Sequence, residues 1–210
     1  MDIIESLEWR YATKKFDDSI SIDDKKIKRI CKAFNLTATS YGLQPIKLVV
    51  VKNKELQKKM KLASFNQEQV STASHVLVLC IENNVDTEFI QAHSKNTKEL
   101  RPDGHDEIDA YGKVLINRFE SKSKNETKLW ATKQAYLALG NLLTVCAIEK
   151  VDSCPMEGFI PKEIDDILEL DKDHLSAVLL LPIGIRAKND ISAKINKVRR
   201  PLNDIVKTIF

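Results

Sequence analysis

The chain has 210 residues, four cysteines, a formal net charge of +3, and 43% hydrophobic against 30% charged residues. That length is enough to bury a sizeable core without disulfide or metal staples, and the balance is that of an ordinary globular protein. The small net charge makes no case for a nucleic-acid or membrane partner, and the few aromatics offer no stacking platform for single strands.

The first residues are acidic and amphipathic and lack the pattern of a signal peptide, so the expected compartment is the cytoplasm. Residues 2–9 read as a short helix feeding a basic run, Arg10-Tyr-Ala-Thr-Lys14-Lys15. Ser21 and Asp24 mark a helix start, and Ile27, Ile30, Cys31 and Phe34 recur at the spacing of one buried helix face. Residues 37–45 break that period and read as a loop. A strand over 46–51 follows, then a helix over 54–63 and a shorter one over 66–71. Residues 75–81 form a near-continuous apolar run, as in a strand buried on both faces.

Residues 86–123 read as polar and helical, with a turn at 101–104. The strongest helix is expected over 128–150; its most apolar part, 135–148, is too short to span a bilayer and carries Gly140, Asn141 and Thr144. Pro161 opens a further helix. Residues 177–184 form a third interior strand, whose Pro182 argues for a ladder that stops there or lies at an edge. The tail 195–210 is basic through Lys197-Val-Arg199-Arg200 and then apolar at Leu202, Ile205, Val206 and Ile209, a pattern suited to docking on a second subunit. Neither repeats nor linkers interrupt the chain, so 1–210 is expected to be one α+β domain.

Cys31, Cys80 and Cys146 have apolar neighbours and read as small core residues. The cysteines form no CxxC pair and the four histidines are scattered, so no metal site is expected. Neither a hydrolytic triad nor a glycine-rich phosphate loop is present. What remains is two basic clusters at opposite ends of the chain, which, if brought together, would suit a phosphate. Two further elements are a hydroxyl-rich loop at 37–45 and a turn at 155–159 whose Gly158 allows close backbone approach to a flat ligand. Such a set, poor in acids and nucleophiles, points to chemistry carried by a bound organic cofactor.

Nine segments in order carry a resemblance over essentially the whole chain: Arg10-Tyr-Ala-Thr-Lys-Lys-Phe16, Thr39-Ser-Tyr-Gly-Leu-Gln-Pro45, Asn66-Gln-Glu-Gln69, Ala73-Ser-His-Val76, Lys133-Gln134, Gly140-Asn141, Pro155-Met-Glu-Gly-Phe159, Leu181-Pro-Ile-Gly184 and Lys197-Val-Arg199. The chain resembles the flavin-dependent nitroreductase family, in particular its oxygen-insensitive NAD(P)H nitroreductases and dihydropteridine reductases. The resemblance implies a mostly antiparallel central sheet surrounded by helices, in an intertwined homodimer with FMN at the interface. It implies ping-pong hydride transfer from NADPH or NADH, through flavin N5, to a nitroaromatic, quinone or dihydropteridine-like acceptor. Ene reduction, dehalogenation, or flavin binding without turnover are the alternatives within and beside that range.

By the same resemblance, Arg10, Lys197 and Arg199 would hold the FMN phosphate, with Tyr11 and Ala12 alongside; Ala12 stands where relatives often carry Ser. Lys14 and Asn66 would reach the pyrimidine edge, and Ala38, Thr39, Ser40 and Gly42 would come from the other subunit. Glu157 and Gly158 would present N–H groups to N5 and O4. Lys14, as the fixed cation, and Glu157 are the expected catalytic positions. Gln69 occupies a position that is Lys in some relatives, which implies a less oxidising flavin. Tyr41, Ile116 and Phe119 are the expected substrate contacts. For a 2′-phosphate, Arg101, Lys113 and Arg118 are candidates that equally read as surface charge.

Overall fold

The computed structural model describes residues 2–101 and 103–210; Met1 and Pro102, the latter within the expected 101–104 turn, lie outside the described residues. Four strands form one antiparallel sheet in the order β1-β2-β4-β3, with β1 at Ile46–Val51, β2 at His75–Glu82, β3 at Asp152–Ser153 and β4 at Leu175–Gly184. Both faces are covered, which is why β2 is apolar without a break. Its Val76, Val78 and Cys80 join a core with Phe16, Met60 and Ile164 on one face. Leu77, Leu79 and Ile81 join the other, with Ile30, Ala135 and Leu142. Period-2 alternation thus sorts one strand between two cores, each fully buried Leu or Ile contributing ~1.5–3 kcal/mol.

The helices are α1 (Ile3–Trp9), α2 (Asp24–Asn35), α3 (Lys54–Ala63), α4 (Gln69–Thr72), α5 (Thr87–Leu100), α6 (His105–Glu120), α7 (Lys124–Ile148), α8 (Pro161–Leu168) and α9 (Leu202–Ile205). α2 starts where Asp23, not Ser21, accepts from Lys25 N at 2.7 Å. α7 begins four residues before the expected 128 because Ser123 and Glu126 close a capping box there. The expected helix over 66–71 shrinks to α4, since Phe65 and Asn66 adopt left-handed φ of 54° and 57°.

β4 is interior, between β2 and β3, so of the two expectations from Pro182 the ladder that stops there is met on the β3 side and the edge position is not. The proline is accommodated by the facing strand. Cys154 N donates to Pro182 O at 3.0 Å, so the missing Pro182 donor faces Cys154 and the regular β3 ladder stops at Ser153. Pairing resumes where Met156 N and Leu180 N each donate to the other's carbonyl, at 2.8 and 3.0 Å. This holds the 154–156 segment along β4. At the end of β4, a Cβ on Gly184 would lie 2.6 Å from Phe16 Cδ1, a buried ring. Gly184→Ala is therefore expected to destabilise by ~1–3 kcal/mol through overpacking, measurable as a lower urea midpoint with an unchanged slope.

Candidate active site

The two chain ends meet. Lys197 Nζ donates to Leu7 O at 3.0 Å and also to Glu8 O, both at the carbonyl end of α1, where a cation is favoured. Arg10 follows directly on α1. Its guanidinium is pushed below its usual pKa, first by burial and then by Arg199. Lys197 is lowered likewise, by loss of hydration and then by Arg10 and Arg199. Among the described residues no carboxylate pairs with these three cations, and Arg10 Nε is buried without a hydrogen-bond partner. Burial and mutual repulsion thus disfavour these cations, with Glu8 the carboxylate that acts on Lys197, an arrangement suited to an added anion.

Asp190, beyond β4, fixes the adjoining segment. Its Oδ2 accepts from Lys14 N at 2.9 Å, Lys15 N at 3.3 Å and the Tyr11 hydroxyl at 3.1 Å, while Oδ1 accepts from Ser192 N at 3.0 Å. Burial raises this carboxyl's pKa, but the Lys14, Ser192 and Lys15 amides and the Tyr11 hydroxyl outweigh it and leave it lowered. Tyr11 is pushed up to about 12, by burial first. Tyr11 thus points at Asp190, and Ala12 bridges Ser153. The exposed Lys14 side chain reaches Cys154, with Nζ 3.9 Å from Sγ. Burial raises the Cys154 thiol, against the pull of Lys14 and Arg10 and a hydrogen bond with the buried Gln69.

The turn after Met156 lies at the end of this line. Met156 O accepts from Leu180 N at 3.0 Å and Glu157 O from Phe159 N at 3.0 Å. Because a trans peptide points its N–H opposite its C=O, the Glu157 and Gly158 N–H groups face away from those partners. Neither has a protein acceptor among the described residues. The Glu157 side chain raises the pKa of the nearby Tyr136 phenol. Asn66 is exposed beside Phe65, whose ring is 63% exposed and 3.9 Å from a Cβ placed on Gly158.

The 38–42 loop is held elsewhere. Ser40 N donates to Gln134 Oε1 at 2.8 Å on α7, and Tyr41, at φ 61°, stacks on Trp130 with centroids 6.0 Å apart. Among the described residues no hydrogen bond or ring contact joins Ala38, Thr39, Ser40 or Gly42 to the cation cluster within one chain. Tyr41 borders a cavity of about 470 Å³ with Gln44, His93, Leu100, Arg101 and Tyr111. The His93 pKa is lowered, by burial first and then by Arg101. Phe119 is buried behind Tyr41, rings edge-on at 6.1 Å, and Ile116 opens on different clefts. Of the three 2′-phosphate candidates only Arg101 lines the Tyr41 cavity; Arg118 bonds the Tyr41 hydroxyl and Lys113 lies in an outer cleft.

The structure therefore unites Arg10, Tyr11, Ala12, Lys14, Gln69, Glu157, Gly158, Lys197 and Arg199 through a linked set of contacts, while Tyr41, Ile116 and Phe119 do not share one cavity. Sequence reasoning missed Asp190, Cys154, Gln67 and Phe65. Cys154 was within reach, as the residue before Pro155 in a singled-out turn; Asp190 lies in a stretch with no motif.

The nitroreductase family model matches residues 7–185. A Staphylococcus epidermidis protein provisionally named NAD(P)H nitroreductase SERP2086 is 33% identical over 215 residues, covering 99% of this chain and 96% of that one. The Bacillus subtilis protein ydfN, provisionally termed a nitroreductase, superposes with a TM-score of 0.87 at 21% identity over 98% of both chains. A provisionally named nitroreductase from Exiguobacterium sibiricum, solved in complex with FMN, gives 0.83 at 23% identity over 100% of this chain and 98% of its own. With the family model spanning the sheet and most of the site, the chain belongs to the nitroreductase family.

Proposed function

We propose that the protein is an FMN-dependent oxidoreductase that takes hydride from NADPH or NADH and passes it to a nitroaromatic, quinone or dihydropteridine-like acceptor. One observation carries this reading: Arg10, Lys197 and Arg199 converge from both chain ends without an acidic partner, and Arg10 Nε is buried and unbonded. The FMN phosphate would supply the missing oxygens, and the Glu157 and Gly158 N–H groups, which have no protein acceptor among the described residues, would supply donors for a flat acceptor edge. FMN, when bound, contributes hydride acceptance from the nicotinamide and delivery to the acceptor in two successive half-reactions.

The protein's own groups bind, orient and neutralise. Lys14 contributes a fixed cation close to Cys154, and Asp190 holds the Lys14 backbone so that this charge needs no reorganisation. Neither a nucleophile nor a general acid is required, so the proton comes from solvent.

A homodimer completes the site in this reading. α7 leaves Leu129, Tyr136, Leu137 and Ile148 exposed, α1 leaves Ile3, Ile4 and Leu7, and the tail leaves Leu202, Ile205, Val206, Ile209 and Phe210. Apolar exposure on this scale marks an interface, and a second copy placed on it would bring its 38–42 loop and Tyr41 cavity to the flavin. No helix among the described residues is long and apolar enough to cross a membrane.

The test is an absorption spectrum of freshly purified protein, then addition of NADPH or NADH under nitrogen, with mass measured in solution. Flavin absorbance that bleaches, in a particle of twice the chain mass, is expected. Colourless protein that takes up no FMN after dialysis overturns the cofactor. Bound flavin that neither nicotinamide bleaches favours a binding protein without turnover.

A further inference from the structure

The Met156–Gly158 turn has a third tethered carbonyl that neither strand supplies. Gly158 O accepts from the side-chain Nε2 of Gln67 at 2.8 Å. The other end of that carboxamide is fixed too, because Gln67 Oε1 accepts from Gln69 Nε2 at 2.9 Å. Gln69 is 4% exposed, and its amide lies close enough to the Cys154 thiol to pull that thiol's pKa down; the thiol lies 3.9 Å from Lys14 Nζ. Two hydrogen bonds therefore link the buried Gln69 amide through Gln67 to the Gly158 carbonyl.

The relay acts where the turn is weakest. Met156 and Glu157 have their carbonyls bound to backbone N–H groups, but Gly158 has no Cβ to restrict its φ and ψ. A Cβ added there would come 3.0 Å from Gln67 Nε2, so the amide packs directly on the glycine. Fixing the Gly158 carbonyl fixes the following peptide and with it Phe159 N, which closes the turn on Glu157 O. The direction of the two unpaired N–H groups at Glu157 and Gly158 depends on that closure.

We propose that Gln67 is a positioning residue: through the Gly158 carbonyl it holds the Glu157 and Gly158 N–H pair in one direction, and Gln69 is a glutamine so that it can orient Gln67. The proposal rests on the reading above, that this N–H pair faces the flavin edge where charge accumulates on reduction. Donors held in place favour the more negative, reduced state; donors free to turn favour it less. Gln67 has no part in the phosphate anchor.

The test compares wild type with Gln67→Met, which keeps the length but cannot donate, and Gln67→Glu, which can accept from Gln69 but cannot donate to Gly158. Both are expected to bind oxidised FMN within about threefold of wild type and to bind reduced FMN about tenfold less tightly relative to it,. For a two-electron couple this lowers the midpoint potential by about 30 mV. Two donor-less variants with wild-type potentials overturn the proposal, as does a shift in one alone. Should Gln67→Met fail to fold, Gln67→Glu decides by the same criterion, and a Gln69→Leu variant is expected to shift in the same direction. Wild-type protein that takes up no flavin or is not bleached removes the underlying reading instead, so the two failures are distinguishable.

Discussion

Arg10→Gln is expected to weaken FMN binding by about 10- to 150-fold and to leave riboflavin binding unchanged. The range follows from the ~1.5–3 kcal/mol of a hydrogen bond to a charged group, at tenfold per ~1.4 kcal/mol. Riboflavin lacks the phosphate, so it reports every contact except the one removed. The stability of the flavin-free protein should move the other way. Arg10 lies beside Arg199 and Lys197 with, among the described residues, no carboxylate paired to any of them, and its lowered pKa records a cost that comes from burial first and from Arg199 second. Removing the charge relieves it, so the unliganded melting temperature is expected to stay level or rise. Arg10→Lys should recover only part of the affinity, because an ammonium cannot present the planar fork. Equal losses for FMN and riboflavin would show that the cluster does not hold the phosphate.

The second large effect is expected at Asp190. Removing its carboxylate in Asp190→Ala strands the amides of Lys14, Lys15 and Ser192 and the Tyr11 hydroxyl together, a loss of about 3 kcal/mol. Asp190→Asn should cost less, since one oxygen can still serve the Oδ2 partners while its NH₂ meets the Ser192 N–H. A pH signature accompanies this. The folded carboxyl titrates below its ordinary range, so the unfolded chain takes up the proton first. The stabilisation is complete above the ordinary carboxyl range and is lost as pH falls through the folded value. Chemical denaturation at pH 7 and at about pH 2.5, below the ordinary aspartate value of ~3.9, should show wild type losing more stability on acidification than Asp190→Ala. Parallel losses would mean that Asp190 contributes nothing to the acid sensitivity.

These two residues also mark where the sequence was legible and where it was not. Arg10 is visible because it stands in a motif at a helix end, and its partners stand in another. Asp190 belongs to no motif; its importance comes from a chain reversal that brings it to residues 176 and 179 positions away. The same division holds for the fold. The strand at 75–81 is legible because both of its faces are buried, and a helix over 54–63 because its period is regular. Pro182 leaves two readings open, since one residue's missing donor cannot say which neighbouring strand it faces; the ladder that ends there is β3's. The 66–71 stretch was read as helix because a left-handed turn at Phe65 and Asn66 has no composition signature beyond the asparagine. Gln67 and Cys154 are ordinary residue types whose roles arise only from the tertiary meeting of α4, the 154–158 segment and Lys14.

The α5–α6 hairpin packs through its own small core of Leu43, Val85, Ile90, Leu115 and Phe119, separate from the two cores that flank the sheet. Most walls of the Tyr41 cavity therefore lie outside the sheet's two cores, with Leu115 shared between the hairpin core and the cavity lining. Substitutions at Leu100, Arg101 or Tyr111 alter the walls of the Tyr41 cavity without touching β2 or β4. A library confined to Leu100, Arg101 and Tyr111 is therefore the direct way to reshape that cavity while leaving the sheet's two cores unchanged.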